Sequence, residues 1–299
     1  MMGLTTLLDS GAARTISDRS KAPAIRRGYV DGRYGQIHYR HAAAPGASAR
    51  PLVLLHQNPA SSFEYEPLIA AMATDRHVVA FDTPGYGMSD DPPSALSMAG
   101  YSGCLVDAAA QLDLTGRAGC DVFGVHTGAL LAIEFALAAP DAVRHVACSG
   151  IPMRSAAERA DRLQAAHDAT DALDETGVGA LALAEPLWDF IVTQRLPGVP
   201  LRRAAQLWAD KLAPIDRASW AYQGVWSYDY EARLPLIRQP FLLIQPPEEI
   251  AAQSRAAAAL VSDARIVEMA GFPRDSLELP QSLDQIGQAL RRFFDGPHL

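Results

Sequence analysis

The sequence predicts an α/β protein built on a doubly wound, mostly parallel sheet, and three observations point there. Short continuous apolar runs recur along the chain, as expected for strands covered on both faces. Helix-patterned segments separate them. The alternation lapses over one long stretch, Met153 to Leu236, which reads as a helical insertion rather than as more of the sheet.

The elements follow in order. Gly28–Val30 and Gln36–His41 alternate in polarity and flank Asp31-Gly32-Arg33-Tyr34-Gly35, a hairpin signal. Ala43–Arg50 is a loop rich in Ala, Pro, Gly and Ser, and Pro51–Leu55 is the first apolar run. His77–Phe81, Asp121–Phe123, His145–Cys148, Phe241–Ile244 and Ala264–Val267 are the next five. Helical patterns cover 61–73, 97–113, 127–139, 251–261 and 282–294. The expected organisation is an N-terminal arm at 1–25, a core at 26–152 and 237–299, and a helical lid at 153–236. All four tryptophans, Trp188, Trp208, Trp220 and Trp226, fall in the lid.

Composition bounds the function. At 299 residues the chain suits one large domain with an insertion. A net charge of −8 argues against a nucleic-acid partner, which calls for a basic surface. No run approaches 18 apolar residues, so no spanning helix and no membrane partner are expected. Residues 1–22 lack a long apolar stretch, and no signal peptide is read there. Cys104, Cys120 and Cys148 cannot form a complete disulfide set, which favours a reducing compartment and a cytoplasmic location. The histidines show no metal-ligand spacing, Gly85-Tyr86-Gly87 is a turn rather than a dinucleotide loop, and no phosphate-binding loop occurs. No metal and no cofactor are expected. The oligomeric state is not legible.

The segment most informative about function is Cys120-Asp121-Val122-Phe123-Gly124-Val125-His126-Thr127-Gly128-Ala129. It reads as strand, tight turn and helix start, the setting of a G-x-S-x-G nucleophile elbow with histidine at the apex. Two further segments flank it in order: Leu54-Leu55-His56-Gln57-Asn58-Pro59, similar to an H-G-x-P oxyanion loop, and Phe81-Asp82-Thr83-Pro84-Gly85-Tyr86-Gly87-Met88-Ser89-Asp90, similar to a D-x-P-G-x-G-x-S-D segment. Together they make the chain resemble the α/β-hydrolase superfamily from about Arg26 to Phe294.

The resemblance implies a cleft at the C-terminal strand ends, with an oxyanion hole formed by the amides of Asn58 and Thr127 and with Gln57 in place of the usual glycine. It places the acid beyond the Phe241–Ile244 strand, at Glu249, with Glu248 beside it. It places a catalytic histidine after the Ala264–Val267 strand, where this chain has Gly271-Phe272-Pro273-Arg274-Asp275-Ser276-Leu277-Glu278 and no histidine. The usual serine–histidine–acid relay therefore cannot be assembled.

His126 sits at a helix N-terminus, whose dipole favours a neutral imidazole able to act as base or nucleophile. A carboxylate would orient the ring; Glu249 is favoured for this, Asp275 is its rival, and Glu248 is a third candidate. The expected chemistry is hydrolysis of an ester, lactone or C–C bond of a small carbonyl compound. The alternatives are a ligand-binding protein without catalysis, or a cofactor-free lyase or decarboxylase. Tyr222 and Trp226 are candidates for binding an apolar or aromatic substrate. Plainer roles stand beside these: His56 bracing its loop, Asp82 and Asp90 fixing turns, Arg274 and Asp275 in a surface ion pair, and the lid aromatics packing on one another.

Overall fold

Alternation of side chains across a pleated strand gives each central strand two faces to bury. In the computed structural model, which describes residues 22–171 and 175–296, both faces are covered. The sheet has eight strands: β1 (Arg26–Gly32), β2 (Gly35–Ala42), β3 (Ala49–Leu55), β4 (Arg76–Phe81), β5 (Cys120–Val125), β6 (Val143–Ser149), β7 (Phe241–Gln245) and β8 (Ala264–Glu268). Their spatial order is β1-β2-β4-β3-β5-β6-β7-β8. The β1/β2 and β2/β4 pairs are antiparallel and the others parallel, so the predicted doubly wound architecture is the observed one.

Val53 and Leu55 of β3, Val122 of β5 and Val146 of β6 enter one apolar core. Helices α2 (Met98–Gln111) and α3 (Thr127–Ala138) pack there. Leu52, Leu54, Phe123 and Ala147 point to the opposite core, which is closed by α1 (Glu66–Met72) and by Leu283, Ile286, Leu290, Phe293 and Phe294 of a C-terminal helix, Pro280–Asp295. The 3- and 4-residue spacing of those five side chains puts them on one helical face. The predicted helix at 61–73 opens as a 3₁₀ turn, Ser62–Tyr65, before becoming α1.

β8 departs from the expectation of a covered strand. It is the sheet edge, and Ile266 and Val267 are 43% and 41% exposed. Of the expected N-terminal arm, residues 1–21 lie outside the described residues. The three cysteines are buried free thiols, and no helix among the described residues is long and apolar enough to cross a membrane.

Between β6 and β7 the chain leaves the sheet for α4 (Ala156–Asp171), α5 (Val178–Trp188), α6 (Leu201–Leu212), α7 (Trp220–Trp226) and α8 (Tyr230–Arg233). Two helices follow β7: α9 (Ala251–Ala258) and the C-terminal helix, α10. The insertion has a small core of its own, from Ile191, Val192, Val199 and Ala204 with Leu279. It is tied to α3 by polar contacts. Tyr228 Oη donates to Glu134 Oε1 at 2.8 Å, and Arg233 reaches both oxygens of that buried carboxylate at 2.8 and 2.7 Å.

Asp82 holds the loops at the strand ends together. Its Oδ1 accepts from the Ser62 amide at 2.7 Å, and its Oδ2 from His38 Nδ1 and the Met88 amide, each at 2.8 Å. Burial pushes this carboxyl upward, but the His38 hydrogen bond, the nearby His56 and the Ser62 amide outweigh it and hold it below the ordinary aspartate range. The stabilisation is therefore complete above that range and lost as the pH falls through the lower folded-state value. Asp82→Asn is expected to cost at least about 2 kcal/mol at neutral pH, because buried donors lose a charged acceptor. Urea unfolding at pH 7 and at pH 3 checks this: the gap between wild type and variant should narrow at the lower pH.

Candidate active site

β5 ends and α3 begins with a single residue between them, and that residue is His126. The turn is sharp enough to force φ to +51° and ψ to −112°, a region costing a non-glycine residue about 1–3 kcal/mol. It closes only because its neighbours are small. A Cβ on Gly124 would lie 1.9 Å from the carbonyl oxygen of Gly128, and one on Gly128 would lie 1.9 Å from that of Leu55. The His126 amide donates to Ser149 O at 2.8 Å, pinning the turn to the end of β6. The next residue, Gly150, makes space for the ring: a Cβ there would stand 2.2 Å from His126 Cδ2 and 2.7 Å from Glu248 Oε1.

Both nitrogens of that ring are engaged. Nε2 is 2.7 Å from Glu248 Oε2, and Nδ1 is 3.2 Å from Gln57 Oε1. The buried Glu64 settles the orientation of the Gln57 amide, accepting from the Gln57 backbone N–H at 3.0 Å and from its Nε2 at 2.9 Å. With its NH₂ group committed to a carboxylate, Gln57 offers His126 only an acceptor, so Nδ1 carries a proton. The Nε2···Glu248 contact needs one more, on one atom or the other. The imidazole is thus a proton-bearing pair with Glu248 rather than a ring with a free lone pair, as the helix position alone suggested.

The predicted oxyanion loop lies beside it. His56 donates from Nδ1 to Gln57 O at 2.7 Å and accepts at Nε2 from the Thr83 amide at 2.9 Å, a bracing role. The Asn58 carbonyl accepts from Tyr222 Oη at 2.6 Å. The Asn58 amide lies outside any helix or strand, and Thr127 opens α3, where an amide has no intrahelical acceptor. The Asn58 side chain is 3% exposed, yet neither its Nδ2 nor its Oδ1 has a partner.

These groups line a cavity of about 680 Å³ between the strand ends and the insertion. Gln57, Asn58, His126, Thr127, Tyr222 and Trp226 all face it. The tyrosine and tryptophan rings lie nearly parallel, 10° apart, at 6.4 Å. Burial pushes the Tyr222 phenol up to about 12. Trp188 and Trp208 instead pack on each other, 5.1 Å between centroids.

Two predicted carboxylates are not on the ring. Glu249 is exposed, and its neighbour Glu248 takes the imidazole, because the turn after β7 directs the first of the adjacent acids inward. Asp275 accepts from the Leu196 amide at 2.7 Å, tying its loop to the insertion. Nor do Arg274 and Asp275 pair: Arg274 lies over the Phe190 ring at 4.2 Å and donates to Gln194 O at 3.0 Å. Glu64, Gly150 and Lys211 were not singled out from the sequence. Among the described residues no cluster of His, Cys, Asp and Glu has the form of a metal site.

Comparison with known proteins agrees with this geometry at the level of the fold. The enol-lactonase of Burkholderia xenovorans LB400 superposes with a TM-score of 0.70 at 19% identity, over 89% of this chain and 99% of that one. A thermophilic esterase of Thermogutta terrifontis gives 0.70 at 19% identity, over 90% and 99%. A bromoperoxidase of Bacillus anthracis gives 0.71 at 16% identity, over 89% and 99%. A family model described as alpha/beta hydrolase fold matches residues 50–245. With that model covering well over half of the chain and an eight-stranded, mostly parallel sheet beneath it, the chain belongs to the alpha/beta hydrolase fold family.

Proposed function

We propose that this protein is an enzyme that hydrolyses a small carbonyl compound, an ester or lactone or a C–C bond next to a carbonyl, with His126 and Glu248 working as an acid–base pair. The observation that carries this reading is the 2.7 Å contact between Nε2 of a strained elbow residue and a largely buried carboxylate on the cavity wall. Backbone strain held at a site facing a cavity supports a functional use of that site.

The substrate carbonyl oxygen lies against the Asn58 and Thr127 amides, which stabilise the charge that develops on it. Glu248 Oε1 has one long contact, 3.4 Å from Gln245 Nε2. That oxygen takes a proton from water as the water oxygen attacks the carbonyl carbon. His126 then gives the Nε2 proton to the leaving oxygen or carbon when the tetrahedral intermediate collapses, and Glu248 passes its proton back to the ring. The base is the carboxylate, and the imidazole holds it in place and supplies the acid. Gln57, clamped by Glu64, fixes the ring plane throughout.

A second reading, a ligand-binding protein without turnover, is favoured by one observation: both ring nitrogens already have protein partners. Mass spectrometry of a panel of esters, lactones and β-diketones incubated with wild type and His126→Ala separates the two. Turnover that His126→Ala abolishes supports the enzyme; tight retention of a compound with no product supports the binding protein.

Glu248→Gln is expected to lower kcat about a hundredfold with little change in KM, since an amide cannot take the proton. His126→Ser is expected not to give ordinary esterase activity, because no other imidazole among the described residues lines the cavity. Robust p-nitrophenyl ester hydrolysis by that variant would count against this account of the site.

A further inference from the structure

The cavity is lined by acids and by bases, and the two sets are treated differently. Glu64 is occupied by the Gln57 backbone and side-chain amides, Glu248 by His126, Asp275 by the Leu196 amide, and Glu278 by Arg203 at 2.9 and 3.0 Å. Glu249 is exposed to solvent. Lys211, in contrast, has a single hydrogen bond, from Nζ to Pro59 O at 3.1 Å, and forms no ion pair among the described residues. Arg154 likewise donates only to the adjacent Met153 carbonyl, at 2.8 Å. Apart from the exposed Glu249, the acids of the cavity wall are spent on protein donors, while Lys211 and Arg154 form no direct ion pair among the described residues.

A second, independent observation lies one residue along the same loop. The Asn58 side chain is buried against the cavity with its amide wholly unpartnered. Buried polar groups are nearly always satisfied, and leaving one empty costs about 1–3 kcal/mol. Because Lys211 is held by Pro59, its remaining N–H groups and the Asn58 Nδ2–H belong to one short stretch of structure. Burial pushes the Lys211 ammonium downward against the pull of Glu64 and Asp210. A counter-charge from a ligand would relieve that cost.

We infer that the substrate carries a carboxylate in addition to its reacting carbonyl, and that Lys211, with Asn58 Nδ2, receives it. This rests on the cavity being a substrate site, as proposed above, and it names the class: small acyl compounds with a free acid group. Tyr222 and Trp226 would flank the carbon chain between the two ends.

The test is calorimetric and needs no turnover. Wild type is titrated with 4-oxopentanoate, 5-oxohexanoate and 6-oxoheptanoate, and with the methyl ester of each. At least one acid should bind about tenfold or more tightly than its ester, equivalent to about 1.4 kcal/mol. Lys211→Met should erase that preference by weakening each acid far more than its ester, as expected for loss of a charged partner; Lys211→Gln serves if the methionine variant does not fold. Lys211→Arg should keep most of the preference. The inference is overturned if no acid outbinds its ester in wild type, including no binding by any of them, or if the uncharged variants retain the preference. Failure of the His126 turnover experiments with the acid preference intact would sink the catalytic reading and leave this one standing.

Discussion

The site depends on one carboxylate that never meets the imidazole. Glu64, 3% exposed, accepts two hydrogen bonds from Gln57 and so decides which end of that side-chain amide faces His126. Were the amide free to turn, Nδ1 could be donor or acceptor and the proton count of the ring would be undefined. With it fixed, the pairing with Glu248 is the only freedom left. A buried acid that costs several kcal/mol to desolvate is tolerated because both donors it meets are themselves fixed, one by the backbone and one by the ring. The bulk that Gln57 brings to a position usually held by glycine is thus the link between a buried charge and the elbow.

Most of the architecture was legible because it rests on local patterns. Runs such as Pro51–Leu55 and Phe241–Ile244 are apolar on both faces, as central strands are, and the loss of alternation from Met153 marked the insertion. In sequence β8 groups with the covered strands on Ile266 and Val267, although Arg265 interrupts its short run; being last in the spatial order is a property of topology, which no window of sequence contains.

The site was legible where residue types are forced by backbone geometry and illegible where they depend on partners. The glycines of the elbow identify it because a Cβ at either would meet a carbonyl oxygen. Nothing in a sequence distinguishes Glu248 from Glu249, since the two differ only in which way a turn points them. Glu64 sits in a 3₁₀ turn with no motif around it. Lys211 belongs to a strongly amphipathic helix, where a lysine reads as part of the solvated face. Asp275 adopts φ +53° in a loop that the insertion meets, and that contact is remote in sequence.

Two tethers run from the insertion to a single dipeptide: the Tyr222 hydroxyl on the carbonyl of Asn58, and the Lys211 ammonium on that of Pro59. Asn58 also lines the cavity, and in the proposed reaction its amide is one of the two that meet the carbonyl oxygen. Any shift of α6 or α7 therefore pulls on the two peptide units that follow that amide. In the proposed reaction, access to the chamber and the polarising power of that amide are then mechanically geared to each other, so a mutation far out on the helices would detune the chemistry without touching a reacting atom.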